Sequence, residues 1–183
     1  MASTTALVTV GSTSFDALVA AAVTPPVLAA LTARGITRLL IQYGRGTAPP
    51  PVPSPPPPPP SSKTPRARPL EVVGFPYMPS LVTLMADTAL VITHGGAGSV
   101  LEALRSGVPT IIVVNGDLMD NHQAELATAL ANDGHAATAA PTADSLAAVV
   151  NGWAWGERLA LPPARGGVFA GVLAQELAAA YDP

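Results

Sequence analysis

Short apolar runs alternate along this chain with segments of helical periodicity, and this alternation limits the folds that it can adopt. The apolar runs predict six β-strands, at residues 7–10, 37–43, 70–74, 90–93, 110–114 and 136–139. Helices are predicted at residues 15–23, 26–33, 99–106, 120–132 and 142–150. Strands that alternate with helices form a parallel sheet covered on both faces, so the predicted fold class is α/β and Rossmann-like.

The bulk composition sets further limits. With 183 residues, of which 49% are hydrophobic, the chain can form one well-buried domain, and we assign residues 1–183 to it. A net charge of −3 and a single lysine, Lys63, argue against a nucleic-acid partner. There are no cysteines, no signal-peptide pattern, and no apolar run near the roughly 18 residues of a membrane span. We therefore expect a cytoplasmic protein.

Residues 48–69 interrupt the alternation, because they contain 12 of the 21 prolines of the chain. Proline has no N–H group to donate to a sheet, so we predict a disordered, solvated loop of polyproline character inserted within the domain. The alternative is a polyproline ligand for an aromatic groove on another protein. In both cases we expect the chemistry to lie elsewhere.

The stretch "ALVITHGGAGSVLEALRSGVP", at residues 89–109, contains three glycines between a predicted strand and a predicted helix. They are Gly95, Gly96 and Gly98. Ser99 and Glu102 have the spacing of a capping box, which predicts that the helix begins at Ser99. The glycine turn then presents unpaired N–H groups and the positive end of the helix dipole, which predicts an anion site. The alternative is a tight turn whose glycines only supply positive φ angles.

Several kinds of anion site do not fit the sequence. The glycine spacing is not the G-x-G-x-x-G of dinucleotide-binding turns, and the P-loop pattern G-x-x-x-x-G-K-[ST] is absent. No Asp-x-Asp pair is present to hold a metal ion on a diphosphate. The remaining interpretation is a diphosphate bound by backbone N–H groups and a helix dipole, so we expect neither a metal ion nor a cofactor.

Several motifs together resemble a known family. "THGGAGSVLEALRSGVPTIIV" is similar to the nucleotide-sugar loop of the GT-B glycosyltransferases. With "VTVGSTS", "FDALV", "LLIQYGRG" and "LMDNHQAELATAL", it resembles the catalytic subunit of the two-part UDP-N-acetylglucosamine transferase of dolichol-linked oligosaccharide assembly. The resemblance covers most of residues 6–135 outside the proline-rich loop. It implies a chain equivalent to the C-terminal, donor-binding half of a GT-B enzyme.

The resemblance also implies roles for individual residues. The donor diphosphate would be bound by His94, Gly95, Gly96, Gly98 and Ser99. The sugar would be read by Asn121, His122 and Gln123. The cleft on the acceptor side would be lined by Gly11, Ser12 and Thr13. Glu102 would bind the ribose, unless it only completes the capping box. The alternative for Gln123 is that it only caps the next helix, since it has capping-box spacing with Asp120. The alternative for His122 is that it is only an exposed polar residue. We identify no convincing general base.

A GT-B enzyme needs a second domain for the acceptor, and this chain has room for only one. The resemblance therefore implies a heteromer that transfers GlcNAc from UDP-GlcNAc to dolichyl-diphosphate-GlcNAc, with inversion and a β1,4 linkage. A membrane-anchored acceptor-binding subunit would recruit the chain to the cytosolic face of the endoplasmic reticulum. The C-terminal helix predicted at residues 166–183 is the candidate docking element. The alternatives are a self-sufficient glycosyltransferase for a soluble acceptor and a non-catalytic nucleotide-sugar-binding scaffold.

Overall fold

The computed structural model describes residues 4–52, 70–114, 121–156 and 159–160. Its strands are β1 (Thr5–Thr9), β2 (Arg38–Gln42), β3 (Glu71–Phe75), β4 (Thr88–His94), β5 (Thr110–Val113) and β6 (Ala137–Ala139). They form one sheet in the order β3-β2-β1-β4-β5-β6, and every pair of neighbouring strands is parallel. This is the order of a doubly wound sheet, so the predicted fold class is confirmed.

The helices of the described residues follow the predicted alternation. They are α1 (Asp16–Ala22), α2 (Pro25–Ala33), α3 (Val82–Ala86), α4 (Ala97–Arg105), α5 (Asn121–Asn132) and α6 (Ala143–Gly152). The ends of the predicted elements differ from the observed ones by no more than two residues. The exception is α3, a helix of five residues that the sequence analysis did not predict.

Both faces of the sheet are covered by helices. Successive residues of a strand point to opposite sides, so each strand contributes apolar side chains to both faces. On one face, Val8 and Ile41 pack in an apolar cluster with α1, α2 and α6. On the opposite face, Leu7 and Leu40 pack against α3 and α4, and Ile112 packs against α4 and α5. Each helix packs on the sheet after the strand that precedes it. The helix α4 therefore begins at the carboxyl edge of the sheet, where ligands bind in folds of this kind.

The helices α1 and α2 follow β1 closely and contribute Leu18 and Leu31 to the core, both fully buried. Within the described ranges, no single helix is long and apolar enough to cross a membrane. The two helices meet that criterion of length and composition only as a pair, which is bent by 59°.

The proline-rich segment is described only at its amino end. A Cβ on Gly74 of β3 would lie 2.7 Å from Pro49 Cγ, so the glycine leaves the space that this proline ring fills. Pro49 is therefore packed on the edge strand and not solvated as predicted, whereas Pro50 and Pro51 are exposed. Residues 53–69 and the predicted C-terminal helix lie outside the described residues.

The amino-terminal edge of the sheet is closed by contacts between α2 and the end of α6. Arg34, which follows α2, lies over Trp155 with its guanidinium carbon 4.3 Å from the ring centroid. Its Nη2 donates a hydrogen bond to the carbonyl oxygen of Trp153 at 2.6 Å. On the same edge, Leu159 N donates to the carbonyl oxygen of Gly134 at 2.9 Å. The segment after α6 is thus attached to the edge opposite the carboxyl ends of the strands.

Candidate functional site

The carboxyl ends of β1 and β4 place two predicted site segments side by side. Gly11, in the turn after β1, has a φ of +64°, and a Cβ there would lie 2.8 Å from His94 Cε1 and 3.4 Å from Ser99 Oγ. Both the dihedral angle and the close approach therefore require glycine at this position. The structure brings Gly11, His94 and Ser99 together at one edge of the sheet.

The prediction that α4 begins at Ser99 is wrong. The helix begins at Ala97, with Gly96 as its N-cap, and no side chain caps its first turn. The capping box does not form, because Ser99 already lies inside the helix and Glu102 lies one turn further along. The N–H groups of the first three helical residues therefore have neither intrahelical acceptors nor a side-chain cap, as an anion site requires.

Positive φ angles do not explain the three glycines of this loop, so that alternative is wrong. Gly95, Gly96 and Gly98 all have other backbone conformations. A Cβ on Gly95 would lie 3.0 Å from Gln123 Cβ, and a Cβ on Gly96 would overlap His94 Nε2. A Cβ on Gly98, in contrast, would meet no atom of the described residues within 4 Å. Packing against the described chain thus explains the first two glycines and leaves Gly98 facing open space in the first turn of α4.

His94, the last residue of β4, is buried, with 7% of its surface exposed. Its ring lies between Gly11 and Gly96, and its Nδ1 has no hydrogen-bond partner among the described residues. Burial lowers the pKa of His94 below its usual value, and a smaller interaction with the backbone of Thr9 opposes this shift. The imidazole is therefore neutral near pH 7, and its Nδ1 makes no hydrogen bond of ordinary geometry to a described residue.

The first turn of α5 lies against the glycine loop through Gln123. Its Oε1 is buried beside Gly95 and has no hydrogen-bond partner among the described residues. Asn121 and His122 belong to the same helical turn, but their side chains lie outside the described part of the structure, as does Asp120. The proposed sugar contacts and the alternative capping role of Gln123 therefore stay predictions.

A cavity of about 200 Å³ opens at this edge between the Gly11 turn and the start of α4. Five of its lining residues were assigned to the site from the sequence. They are Gly11, Ser12, Gly98, Ser99 and Glu102. Thr13, also assigned to the cleft, uses its hydroxyl within the turn, where it donates to the carbonyl oxygen of Val10 at 2.8 Å.

The other wall of the cavity comes from residues that the sequence analysis did not assign to the site. They are Gln42, Tyr77, Met78, Pro79 and Leu81. Gln42 is the last residue of β2, and the others follow β3. Because the carboxyl ends of parallel strands meet at one edge, the residues after β2 and β3 were the signal that could have identified this wall.

Glu102 lies between this cavity and a second, apolar groove of about 540 Å³ that separates α3 from α4. The groove is lined by Val82, Ala86 and Leu101, and it shares Gly98 and Glu102 with the smaller cavity. The Glu102 carboxylate forms no ion pair with a described residue. The described residues also contain no group of three His, Cys, Asp or Glu side chains close enough together to hold a metal ion.

Comparison with known proteins gives the family. The profile of the glycosyltransferase family 28 C-terminal domain matches residues 5–152, which extend from β1 to α6. The chain belongs to this family. The predicted resemblance to glycosyltransferases is thereby confirmed.

Individual relatives agree with this assignment. The "UDP-N-acetylglucosamine transferase subunit ALG13" of Mus musculus is 42% identical to the family 28 chain over 130 residues, which is 71% of this chain and 10% of that protein. The chain thus spans about a tenth of the length of this relative and of its human counterpart.

Solved structures share the fold of this family 28 chain. The solution structure of an ALG13 has a TM-score of 0.63 at 27% identity, covering 93% of this chain and 95% of that one. MurG from Acinetobacter baumannii shares the fold, with a TM-score of 0.54 at 17% identity, but only 43% of its chain is covered.

Alanine at two neighbouring glycines should have opposite effects on stability. Gly96→Ala should lower the free energy of unfolding by about 1–3 kcal/mol, because its Cβ must displace the buried His94 ring. Gly98→Ala should raise it by about 0.5–1 kcal/mol, because the Cβ enters open space and a helical glycine is removed. Urea denaturation followed by circular dichroism measures both. Equal stability of the two variants would contradict the described geometry.

The lowered pKa of His94 should make stability depend on pH. Well above pH 6.5, the usual pKa of histidine, His94 is neutral in both the folded and the unfolded chain and contributes nothing. Below that pH the unfolded chain binds a proton that the folded chain does not, so stability falls as the pH approaches the lowered pKa of the folded state. Urea denaturation between about pH 7.5 and 5.5 should show this loss in the wild type and in a His135→Gln control, and a smaller loss in His94→Gln. An unchanged loss in His94→Gln would contradict the assignment.

Proposed function

We propose that this chain is the donor-binding, catalytic subunit of an enzyme that transfers GlcNAc from UDP-GlcNAc to dolichyl-diphosphate-GlcNAc. The observation that carries the proposal is the cavity at the carboxyl edge of the sheet, where the uncapped first turn of α4 meets the Gly11 turn. Membership of family 28 supports glycosyl transfer as the reaction, and the name of the mouse relative supports UDP-GlcNAc as the donor.

The donor diphosphate is placed at the start of α4. Three N–H groups without intrahelical acceptors and the positive end of the helix dipole face this position. Gly98 leaves open space in the same turn, so an anion can approach the backbone closely. Beneath it, His94 is more than nine-tenths buried and has an unpartnered ring nitrogen, which supports a polar ligand at this place. The remaining predicted members of this subsite are Gly95, Gly96 and Ser99.

The ribose is placed against Glu102. This residue lies one helical turn after Gly98 and lines the same cavity, so its carboxylate is within one turn of the proposed diphosphate. A carboxylate can accept hydrogen bonds from both ribose hydroxyls. Because the capping box does not form, Glu102 has no structural role among the described residues that would compete with this one.

The GlcNAc moiety is placed at the start of α5, on the other side of the glycine loop. The unpartnered Oε1 of Gln123, buried beside Gly95, supports a hydrogen bond to a sugar hydroxyl or amide group. We assign the neighbouring Asn121 and His122 to the same subsite because they share its helical turn.

Transfer breaks the bond between C1 of GlcNAc and the diphosphate oxygen, and negative charge develops on the departing UDP. The N–H groups and dipole of α4 stabilise this charge without reorganising, which is how an oxyanion site lowers a barrier. The acceptor hydroxyl forms the new bond from the opposite face of C1, so the product is β-linked with inversion. We assign the base that takes its proton to the acceptor side.

The acceptor site is placed on a second, membrane-anchored subunit at the cytosolic face of the endoplasmic reticulum. The match to a C-terminal domain supports placing the acceptor site outside the described domain. The mouse relative is itself named as a subunit. Residues 166–183 remain the candidate docking element.

Reconstitution tests the proposed function. Microsomes that contain the acceptor-binding subunit but lack its donor-binding partner should form dolichyl-diphosphate-GlcNAc₂ when the full chain and UDP-GlcNAc are added, and the chain alone should form none. Transfer should persist in excess EDTA, because backbone N–H groups and a helix dipole hold the diphosphate. Transfer by the chain alone to a soluble acceptor would contradict the heteromer, and restoration of an EDTA-inhibited reaction by Mg²⁺ would contradict metal independence.

The substitution Glu102→Gln tests whether the carboxylate contributes to UDP binding or to the stability of the fold. Glu102→Gln should leave the unfolding temperature unchanged, because no described residue pairs with the carboxylate. It should raise the dissociation constant for UDP about ten- to hundredfold, the effect of losing a charge-assisted hydrogen bond. The matched control is Glu71→Gln at the start of β3, whose carboxylate lies 3.2 Å from Arg38 Nε. Titration calorimetry measures the affinities, and equal values for Glu102→Gln and the wild type would contradict the ribose contact.

A further inference from the structure

Gln42 is a buried polar residue that lies between the two walls of the donor cavity. It ends β2, is 1% exposed and lines the cavity. Two residues earlier on the same face, Leu40 packs beside Leu7 of β1 in an apolar cluster. Two residues further along the same face, the residues in register on the two strands are Thr9 of β1 and Gln42 of β2. The strands thus change from apolar to polar where they reach the cavity.

Both ends of the Gln42 amide are engaged. Thr9 Oγ1 donates to Gln42 Oε1 at 2.5 Å, and Gln42 Nε2 donates to the carbonyl oxygen of Met78 at 3.4 Å. Thr9 Oγ1 in turn accepts a hydrogen bond from Gly11 N at 3.1 Å. A carbonyl can only accept, so Met78 defines which end of the amide carries the nitrogen. Hydrogen bonds therefore run without interruption from the Gly11 turn to the Met78 segment.

These two segments are opposite walls of the cavity, and no hydrogen bond among the described residues joins residues 10–13 directly to 76–80. Gln42 contacts both, because its backbone oxygen also accepts a hydrogen bond from Val10 N at 3.2 Å. We propose that Gln42 is a positioning residue that, through Thr9 and Met78, sets the distance between the two walls and so the affinity of the cavity for the donor. The proposal rests on the proposed function, because it takes the cavity as the donor site. A buried amide of this kind is stabilising only while both of its ends are hydrogen-bonded. Loss of one partner therefore also weakens the hydrogen bond to the other partner.

Two substitutions remove the connection with little change in shape. Thr9→Val replaces the hydroxyl by a methyl group, and Gln42→Leu replaces the amide by an apolar side chain. Thr9→Ser restores a hydroxyl. Thr110→Val is the matched control, because Thr110 is also fully buried and its hydroxyl donates to the carbonyl oxygen of Val108 at 2.9 Å, at the amino end of β5.

The expected result is a loss in donor binding that stability does not explain. Thr9→Val and Gln42→Leu should each raise the dissociation constant for UDP about tenfold. In the reconstituted enzyme, the KM for UDP-GlcNAc should rise similarly, while the KM for the lipid acceptor and kcat stay within about twofold. The double variant should lose no more affinity than either single variant, because both remove the same connection. Thr9→Ser should bind as the wild type does.

Thr110→Val should lower the unfolding temperature as Thr9→Val does and leave UDP affinity unchanged. If Thr9→Val lowers stability but not UDP affinity, or if the double variant shows additive losses, Gln42 has only a structural role and the proposal is wrong. If Gln42→Leu does not fold, the nearly isosteric Thr9→Val decides the question alone.

A second measurement separates this proposal from the proposed function. Amide hydrogen exchange of the unliganded full chain should be faster in Gln42→Leu than in the wild type at both residues 10–13 and 76–80. If the wild type fails to bind UDP, the proposed function is wrong. Faster exchange at both walls would then still support the positioning role, and unchanged exchange would overturn it.

Discussion

The site depends on satisfying buried polar groups at the carboxyl ends of the central strands. Thr9, Gln42 and Thr93 are fully or almost fully buried and lie in one row across β2, β1 and β4. An unpaired polar group at such a position costs about 1–3 kcal/mol, so each needs a partner. Thr9 and Gln42 pair with each other, and Thr93 Oγ1 donates to the carbonyl oxygen of His94 at 3.1 Å. The row thereby determines where the turn after β1 and the segment after β3 can lie.

The alternation of apolar runs and helical stripes was sufficient to predict the sheet, because a strand buried on both faces needs a continuous apolar run. It failed at two local points. The helix α3 has five residues and no side-chain cap, so it leaves no pattern long enough to recognise. At α4, Ser99 and Glu102 have capping spacing, yet the helix begins at Ala97 with Gly96 as its N-cap. The loop before it packs against His94 and Gln123, contacts that the local sequence pattern does not report.

About half of the cavity could be predicted from the sequence. The residues that were predicted, such as Gly11 and Glu102, lie in the segments that carry the resemblance to glycosyltransferases. Gln42 and Met78 were missed because their role depends on three strands ending at the same edge, which no local pattern reports. Burial also determines the protonation state of His94, which the sequence does not report. The lowered pKa makes this residue neutral, although a diphosphate would attract a positively charged side chain.

The closure of the amino-terminal edge has a spectroscopic consequence. The chain has two tryptophans, and both lie in the segment after α6, where Arg34 holds them against the end of α2. The cavity between the Gly11 turn and α4 opens at the opposite edge of the sheet, beside Tyr77. Tryptophan emission therefore reports on loss of the fold and is insensitive to occupation of the cavity, whereas a fluorophore introduced near Tyr77 would respond to the ligand. The two optical signals can be recorded on one sample, so folding and binding become separately observable.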